Sequence, residues 1–217
     1  MIYVFGNSHA HFFTDSTPSK FGEGEKSNDY FRSFSLGPVI AYNFQAHHLP
    51  TMVSMMNKLP ITDNDYVMLA VGEVDCRWHL PKYAAKNGWP IEVIVKECVD
   101  RFFAAHELLH DNGFKVIAWG GHPSTTAGHS DIEHSPIYGD CLSRNAISLL
   151  WSDYLEEKSK KKGVKFVSII RDLINVDGLT KMEYYKDYCH LDSAKFLPSV
   201  IEKFQKEGLI CGTPQKK

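Results

Sequence analysis

Long hydrophobic runs are missing from this 217-residue sequence. No apolar stretch approaches the roughly 18 residues that a membrane-spanning helix needs. The first residues also lack the charged, apolar and small-residue regions of a signal peptide, and residues 2–5 instead predict a buried strand. We therefore expect a cytoplasmic protein that has no membrane segment.

Paired cysteines and a strong net charge are missing as well. The five cysteines are widely spaced, odd in number and free of any C-x-x-C pair, which argues against a disulfide framework and favours a reducing compartment. The formal net charge is −2, so no overall field attracts nucleic acid or an anionic membrane. We interpret the basic run 158–162 as the solvated end of a helix. Neither nucleic acid nor a membrane is expected as a partner.

Internal repeats and low-complexity tracts are absent, and the length suits one domain over residues 1–217. Short apolar runs predict strands that are buried on both faces, as in a parallel sheet. These runs are 2–5, 66–71, 115–119, 165–170 and a shorter one at 38–42. Amphipathic segments predict helices at 51–58, 91–111, 140–162 and 192–207. This alternation of strands and helices indicates an α/β layered fold.

Polar and reactive side chains follow each of the long predicted strands. The segments are GNSHAH, GEVDCRWH, GGHPSTT and RDLINVDG in chain order, with DYCHLD further on. In open α/β sheets, ligands bind outside the carboxyl ends of the strands. We therefore expect the five segments to converge on one edge of the sheet and to form the functional site there.

Ser8 has the surroundings that an activated hydroxyl requires. A serine is a weak nucleophile at neutral pH unless a base lies within hydrogen-bond reach and a further group orients that base. Ser8 follows the first strand, with Gly6 two residues earlier to permit a tight turn. His190 is the candidate base, and Asp187, three residues before it, is the candidate orienting group.

Four segments resemble a known family. FGNSHA, SLGPVIAYNF, AVGEVDCR and DYCHLD are similar, in this order, to blocks I, II, III and V of the SGNH, or GDSL-like, hydrolases. The resemblance spans residues 6 to 190 and implies a flavodoxin-like three-layer α/β/α sandwich with a parallel sheet of about five strands. It also implies a serine esterase that acts on small acyl esters, often on carbohydrates or lipids, without a metal or organic cofactor.

Carried over position by position, the resemblance implies a role for each matching residue. Ser8 matches the nucleophile, and Asp187 and His190 match the other two members of the triad. The backbone N–H groups of Ser8 and Gly37 match two donors of the oxyanion hole. Asn7 stands where the family usually has aspartate, which is a mild departure because that residue lies outside the triad.

Block III departs more seriously from the family pattern. Val74 stands where the family has an asparagine that supplies the third oxyanion donor, and loss of one such donor typically costs about 10²–10³ in rate. Arg77 is the candidate substitute, because its forked guanidinium carries several donors. Since an unpaired carboxylate would oppose an oxyanion, we expect Glu73 or Asp75 to pair with Arg77.

Further side chains near the predicted edge are candidates for substrate contact. His122 and His129 lie in the segment GGHPSTTAGHS, which follows a strand. Aromatic residues near the same edge would suit stacking on a sugar ring: Trp78, Trp119, Tyr184 and Tyr185. The expected substrate is therefore a small-molecule or carbohydrate ester.

Three alternatives remain open at this point. An O-acyltransferase would use the same triad, and a non-catalytic binding module of the same fold would explain Val74. The segment HELLH at 106–110 also matches the H-E-x-x-H zinc motif, with Glu133 or His134 as the third ligand. Against zinc, His106 shares a helical stripe with Val99 and Phe102 and is expected in the core.

Overall fold

A six-stranded sheet forms the centre of the molecule. The structure is a computed structural model and describes residues 1–14, 26–130 and 136–211. The strands are β1 (Ile2–Gly6), β2 (Lys26–Ser27), β3 (Phe31–Ser35), β4 (Tyr66–Ala70), β5 (Lys115–Trp119) and β6 (Lys165–Val167). Their order across the sheet is β2-β3-β1-β4-β5-β6; all neighbours pair in parallel except β2, which is antiparallel to β3.

Helices cover both faces of this sheet. They are α1 (Phe44–His47), α2 (Leu49–Met56), α3 (Leu80–Asn87), α4 (Ile91–Asp111), α5 (Cys141–Lys162) and α6 (Ser193–Lys206). Along β1, Tyr3 and Phe5 join a core with α1, α2, α4 and α5, whereas Ile2 and Val4 join a second core with α6. This alternation of side chains follows the period of two in a strand. The fold is the expected three-layer α/β/α sandwich with five parallel strands.

Gly6 lies against the backbone of β4 at the carboxyl end of β1. Gly6 pairs with Ala70, and a Cβ atom built on Gly6 would lie 2.2 Å from the Ala70 carbonyl oxygen. Only glycine fits this position without a shift of the backbone. The β1 and β4 strands thereby end side by side, directly before the segments that carry Ser8 and Glu73.

Long helices with local start and stop signals match their predictions. The segment 91–111 is α4, and α5 begins after Asp140, whose side chain accepts the Ser143 N–H. The α6 helix follows Asp192, which caps the Ala194 N–H in the same way. The short predicted helix at 51–58 is α2, shifted by two residues, while α1 and α3 were not predicted.

The predicted strand at 38–42 is wrong. The strand in this part of the chain is β3, at Phe31–Ser35, and residues 36–42 form a loop. Gly37 has φ of 78°, and the N–H groups of Ala41 and Tyr42 donate to Asp75 instead of to a neighbouring strand. The predicted strand 165–170 also ends early, at Val167, because a 3-10 turn begins at Ile170.

No helix within the described ranges is both long enough and apolar enough to cross a membrane. All five cysteines carry free thiols.

Candidate active site

The segment after β1 turns immediately, so that Ser8 opens a 3-10 turn at the carboxyl edge of the sheet. Asn7 fixes this turn with both ends of its amide. Its Oδ1 accepts the His9 N–H at 3.1 Å, and its Nδ2 donates to the Val39 carbonyl at 3.5 Å. An ionised aspartate has no donor for Val39. Asparagine at this position therefore ties the Ser8 turn to the neighbouring loop.

Ser8, His190 and Asp187 meet at this edge. The Ser8 Oγ lies 2.9 Å from His190 Nε2, and His190 Nδ1 lies 2.8 Å from Asp187 Oδ2. The other carboxylate oxygen, Oδ1, accepts the N–H groups of Cys189 at 2.9 Å and His190 at 2.7 Å. With Nδ1–H donated to Asp187, Nε2 is left to accept the hydroxyl proton of Ser8.

The electrostatic surroundings favour a neutral imidazole beside an ionised carboxylate. Burial lowers the pKa of His190, and the neighbouring His9 lowers it further, against the opposing effect of Asp187. Burial raises the pKa of Asp187, but the backbone N–H groups of Cys189 and His190 outweigh it, so that this pKa lies below its usual value. His190 is therefore able to accept a proton at neutral pH, and Asp187 is able to balance the imidazolium that results.

Hydrogen bonds hold the loop that carries Gly37 at both of its ends, at Leu36 and at Ala41. Leu36 donates its N–H to the Gly6 carbonyl at 2.7 Å, and Asp75 accepts the N–H of Ala41 at 2.8 Å. The Gly37 N–H itself donates to Ser35 Oγ at 3.3 Å, so a ligand would have to take over this long bond. The loop is thus held against both β1 and the segment after β4.

Asp75 is a fully buried carboxylate, and no cation among the described residues forms a salt bridge with it. Its oxygens accept the N–H groups of Ala41 and, at 3.4 Å, of Tyr42, and the Cys98 thiol lies 4.0 Å away. Burial raises the pKa of Asp75 to about 7, although the two backbone donors oppose this shift. The geometry makes Asp75 the anchor of the loop between Leu36 and Tyr42.

Glu73 is the carboxylate that pairs with Arg77, as expected of one of the two acidic residues. The Arg77 Nε donates to Glu73 at 2.8 Å, and Nη1 donates to the Pro136 carbonyl at 2.7 Å. No contact within the described parts of the chain joins Arg77 to Ser8. Burial raises the pKa of Glu73, but the positive charge of Arg77 outweighs it and holds the pKa well below its usual range.

His9 is a site residue that sequence reasoning missed. Its Nε2 lies 3.0 Å from the other oxygen of Glu73, and its ring centroid lies 5.0 Å from that of His190 and 4.6 Å from that of His122. Burial and the neighbouring His9 lower the pKa of His122 to about 3, so this ring is neutral. The only local signal for His9 was its place directly after Ser8.

A narrow pocket opens beside Ser8. Its volume is about 10 Å³, close to what one water molecule requires. Its apolar wall consists of Phe12, Phe13, Trp119 and Leu191, and its polar side chains are Ser8, His9, His122, Lys186 and His190. Trp119 and His122 are thus predicted contacts that do line the pocket.

The other candidate contacts lie elsewhere. The Tyr185 hydroxyl donates to the Pro123 carbonyl, and the Tyr184 ring packs on Phe196. His129 and Trp78 pack beside each other, with ring centroids 6.4 Å apart. None of these four predicted residues lines the pocket beside Ser8.

The HELLH segment belongs to the core and to the surface of α4. His106 is fully buried against Phe102 and Phe103, and burial lowers its pKa to about 4. Glu107 pairs with Lys162, and His110 is exposed. Glu133 and His134 lie outside the described residues. Within the described ranges, HELLH is part of no cluster of three metal-binding side chains.

Comparison with solved structures identifies the fold. The chain is similar to a GDSL-like lipase from Bacteroides thetaiotaomicron, with 15% identity, a TM-score of 0.61, and coverage of 95% of this chain and 88% of that one. It is also similar to a catalytic mutant of an acetylxylan esterase from Geobacillus stearothermophilus, with 11% identity, a TM-score of 0.59, and coverage of 99% and 96%. An acetyl xylan esterase gives 14% identity, a TM-score of 0.56, and coverage of 97% and 100%.

The chain therefore has the α/β/α fold of GDSL-like lipases and acetylxylan esterases. No family model matches it, and no curated protein matches it.

Proposed function

We propose that this protein is a serine esterase that cleaves a small acyl ester through an acyl-Ser8 intermediate. The observation that carries this proposal is the position of His190, 2.9 Å from Ser8 Oγ on one side and 2.8 Å from Asp187 on the other. Nucleophile, base and orienting group within hydrogen-bond reach are what acyl transfer by a serine requires.

The reaction proceeds in two halves. Ser8 Oγ attacks the ester carbonyl while His190 Nε2 takes the hydroxyl proton, and Asp187 balances the charge on the imidazolium. The N–H groups of Ser8 and Gly37 hold the oxyanion. His190 then gives its proton to the departing alcohol, and in the second half it activates the water that releases the acid from Ser8.

The pocket and the structural neighbours support a small acyl group on a sugar. Phe12, Phe13 and Trp119 line a pocket of only about 10 Å³ beside Ser8, which leaves no room for a long acyl chain. Two of the similar structures are acetylxylan esterases. By analogy with them, we propose that the substrate of this protein is an acetylated carbohydrate. The five free thiols support a reducing compartment such as the cytoplasm.

Labelling with a fluorophosphonate, followed by intact mass and peptide mapping, tests the proposal. We expect one adduct on Ser8, absent in Ser8→Ala and strongly slowed in His190→Ala, with Ser54→Ala on the exposed surface of α2 as a control. An assay with acetylated xylo-oligosaccharides as substrates then identifies the product. Free acetate indicates hydrolysis, and acetate transferred to an added sugar indicates an acyltransferase. A folded protein without an adduct would contradict the proposal and support a non-catalytic binding module.

A further inference from the structure

The turn that carries His190 also presents a thiol to it. The Cys189 Sγ lies 3.4 Å from His190 Nδ1, which itself lies 2.8 Å from Asp187 Oδ2. One ligand atom from each of these three residues lies within 4.8 Å of the other two. It is the one such group of three histidine, cysteine or acidic side chains in residues 1–14, 26–130 and 136–211.

The donor set is that of a borderline or soft divalent cation. Imidazole nitrogen, thiolate sulfur and carboxylate oxygen are the ligands that Zn²⁺ takes in proteins, whereas Mg²⁺ and Ca²⁺ prefer oxygen alone. A tetrahedral zinc with bonds of about 2.3 Å to sulfur and about 2.0 Å to nitrogen separates these two atoms by about 3.5 Å. The observed 3.4 Å between Sγ and Nδ1 already matches this separation.

The carboxylate needs only a small adjustment. An ion of this size separates nitrogen and oxygen ligands by about 3.4 Å, so Asp187 Oδ2 and His190 Nδ1 must move apart from their hydrogen-bonded 2.8 Å. The Asp187 side chain is 41% exposed and that of His190 is 20% exposed, so an ion from solvent reaches both, whereas Cys189 is buried, with 3% exposure. The N–H groups of Cys189 and His190, bonded to Asp187 Oδ1, hold the turn in place beforehand.

We propose that Asp187, Cys189 and His190 form a binding site for Zn²⁺ or a cation of the same class, and that its occupation switches off the esterase. The inhibition, but not the binding, rests on the proposed function. Metal bonds form to the carboxylate oxygen, to Sγ and to Nδ1; the thiol proton passes to solvent, the ring proton moves from Nδ1 to Nε2, and no oxidation state changes. The carboxylate and thiolate neutralise the two charges of the ion.

Inhibition follows from the position of the ion on the far side of the imidazole. His190 Nε2 must take a proton from Ser8, but when a cation is bound at Nδ1 the neutral ring already carries its one proton on Nε2. The bond from Nδ1–H to Asp187, which orients the base, is replaced at the same time. The ion therefore removes general-base catalysis while it leaves the Ser8 hydroxyl in place.

Cadmium binding tests the site without reference to activity. Cd²⁺ bound to a thiolate gives an ultraviolet charge-transfer band, and calorimetry gives the stoichiometry and affinity. The background is the full chain with Cys211→Ser, because Cys211 is the one exposed cysteine; Cys76, Cys98, Cys141 and Cys189 are all buried, and the variant Cys189→Ser distinguishes Cys189 from the other three. In this background we compare Cys189→Ser and Asp187→Asn with the parent, and use Mg²⁺ as the control ion.

One Cd²⁺ per chain with a thiolate band is expected in the parent. The band disappears in Cys189→Ser. The affinity for Cd²⁺ falls at least about tenfold in both variants, because loss of even an outer-shell partner of a metal site lowers metal affinity by about that factor. Zn²⁺ inhibits the parent, a chelator restores its activity, and Cys189→Ser, compared with its own metal-free rate, resists inhibition.

Absence of a band in the folded parent, or equal affinity in Cys189→Ser, overturns the proposal. A second variant, Cys189→Ala, separates loss of the thiol from a change of fold, which circular dichroism monitors. If Ser8 proves unreactive, the cadmium band still decides whether the metal site exists.

Discussion

Asp75 accepts the backbone N–H of Ala41 at 2.8 Å across 34 residues of sequence, and through this bond the segment after β4 holds the loop that bears Gly37. In Asp75→Asn, the amide places a donor where one of the two loop N–H groups needs an acceptor. We expect kcat for an acetyl ester to fall about ten- to hundredfold with KM little changed, because a small displacement of an oxyanion donor affects the transition state most.

Asp65→Asn is the matched control for this substitution, since Asp65 also accepts a loop N–H at 2.8 Å, from Thr62, far from Ser8. The pH profile separates positioning from a merely structural role. Asp75, with its pKa near 7, must be ionised to accept both N–H groups, so wild-type kcat/KM falls as the pH drops through about 7. In Asp75→Asn this step near pH 7 is absent. If the step near pH 7 were unchanged in Asp75→Asn, a group other than Asp75 would be its cause.

Val74→Asn is expected to increase the rate. The resemblance to SGNH hydrolases places an amide donor of the oxyanion hole at this position, and such a donor is worth about 10²–10³ in kcat. Val74 is half-buried, so a polar side chain is tolerated there. We expect kcat to rise about tenfold or more, measured with a chromogenic acetyl ester, while Val74→Leu stays near the wild type. No increase in a folded Val74→Asn variant would show that position 74 does not face the oxyanion.

Phe12→Val is expected to widen the acyl specificity. Phe12 forms part of the narrow wall beside Ser8, and a smaller side chain makes room for additional methylene groups. The ratio of kcat/KM for butyryl over acetyl esters should rise about tenfold or more, since each methylene in an apolar pocket is worth about 10- to 200-fold. Phe34→Val is the control, because Phe34 is also 6% exposed but lies in the other core. An equal change of ratio in both variants would rule out Phe12 as the wall of the acyl pocket.

His106→Leu is expected to change how stability depends on pH. Burial lowers the pKa of His106 to about 4 in the folded chain, below the ordinary 6.5 that applies to the unfolded chain. The unfolded chain therefore binds the proton first, so the contribution of His106 is complete above about pH 6.5 and is lost as the pH falls toward 4. Urea unfolding gives the free energy of unfolding at pH 7 and at pH 4.5. We expect the decrease between these two pH values to be about 1–3 kcal/mol smaller in the variant than in the wild type.

His110→Leu, on the exposed side of the same helix, is the control for this measurement and should keep the wild-type profile. An unaltered profile in His106→Leu would show that another group causes the loss. Zinc that copurifies with the wild type and is lost in both variants would instead revive the HELLH interpretation.

Local signals account for what could be predicted from the sequence. Asp140 and Asp192 mark helix starts because each caps an N–H group within three residues, so nothing distant is needed to recognise them. Ser8, Asp187 and His190 were predicted as site residues because their segments resemble known blocks, and the structure places His190 within hydrogen-bond distance of the other two. The prediction of a strand at 38–42 was wrong because the backbone there bonds to Asp75, a buried carboxylate more than thirty residues away, and not to a neighbouring strand.

Contacts between distant segments explain what was missed at the site. His9 contacts Glu73, which is 64 residues away in the sequence, and no local pattern around either residue predicts this contact. Pairing of Arg77 with Glu73 was predictable because the two are one helical turn apart. The bond of Arg77 to the Pro136 carbonyl was not, since it depends on how the loop before α5 folds back.

The distance of 182 residues between Ser8 and His190 has a consequence for the order of events during synthesis. The strand before Ser8 lies in the middle of the sheet, between β3 and β4, and both of these neighbours are in the first third of the chain. Ser8 is therefore synthesised long before Asp187 and His190. On the proposed function, a chain that ends before Asp187 lacks both the base and its orienting group, and we expect its Ser8 to be unreactive toward a fluorophosphonate.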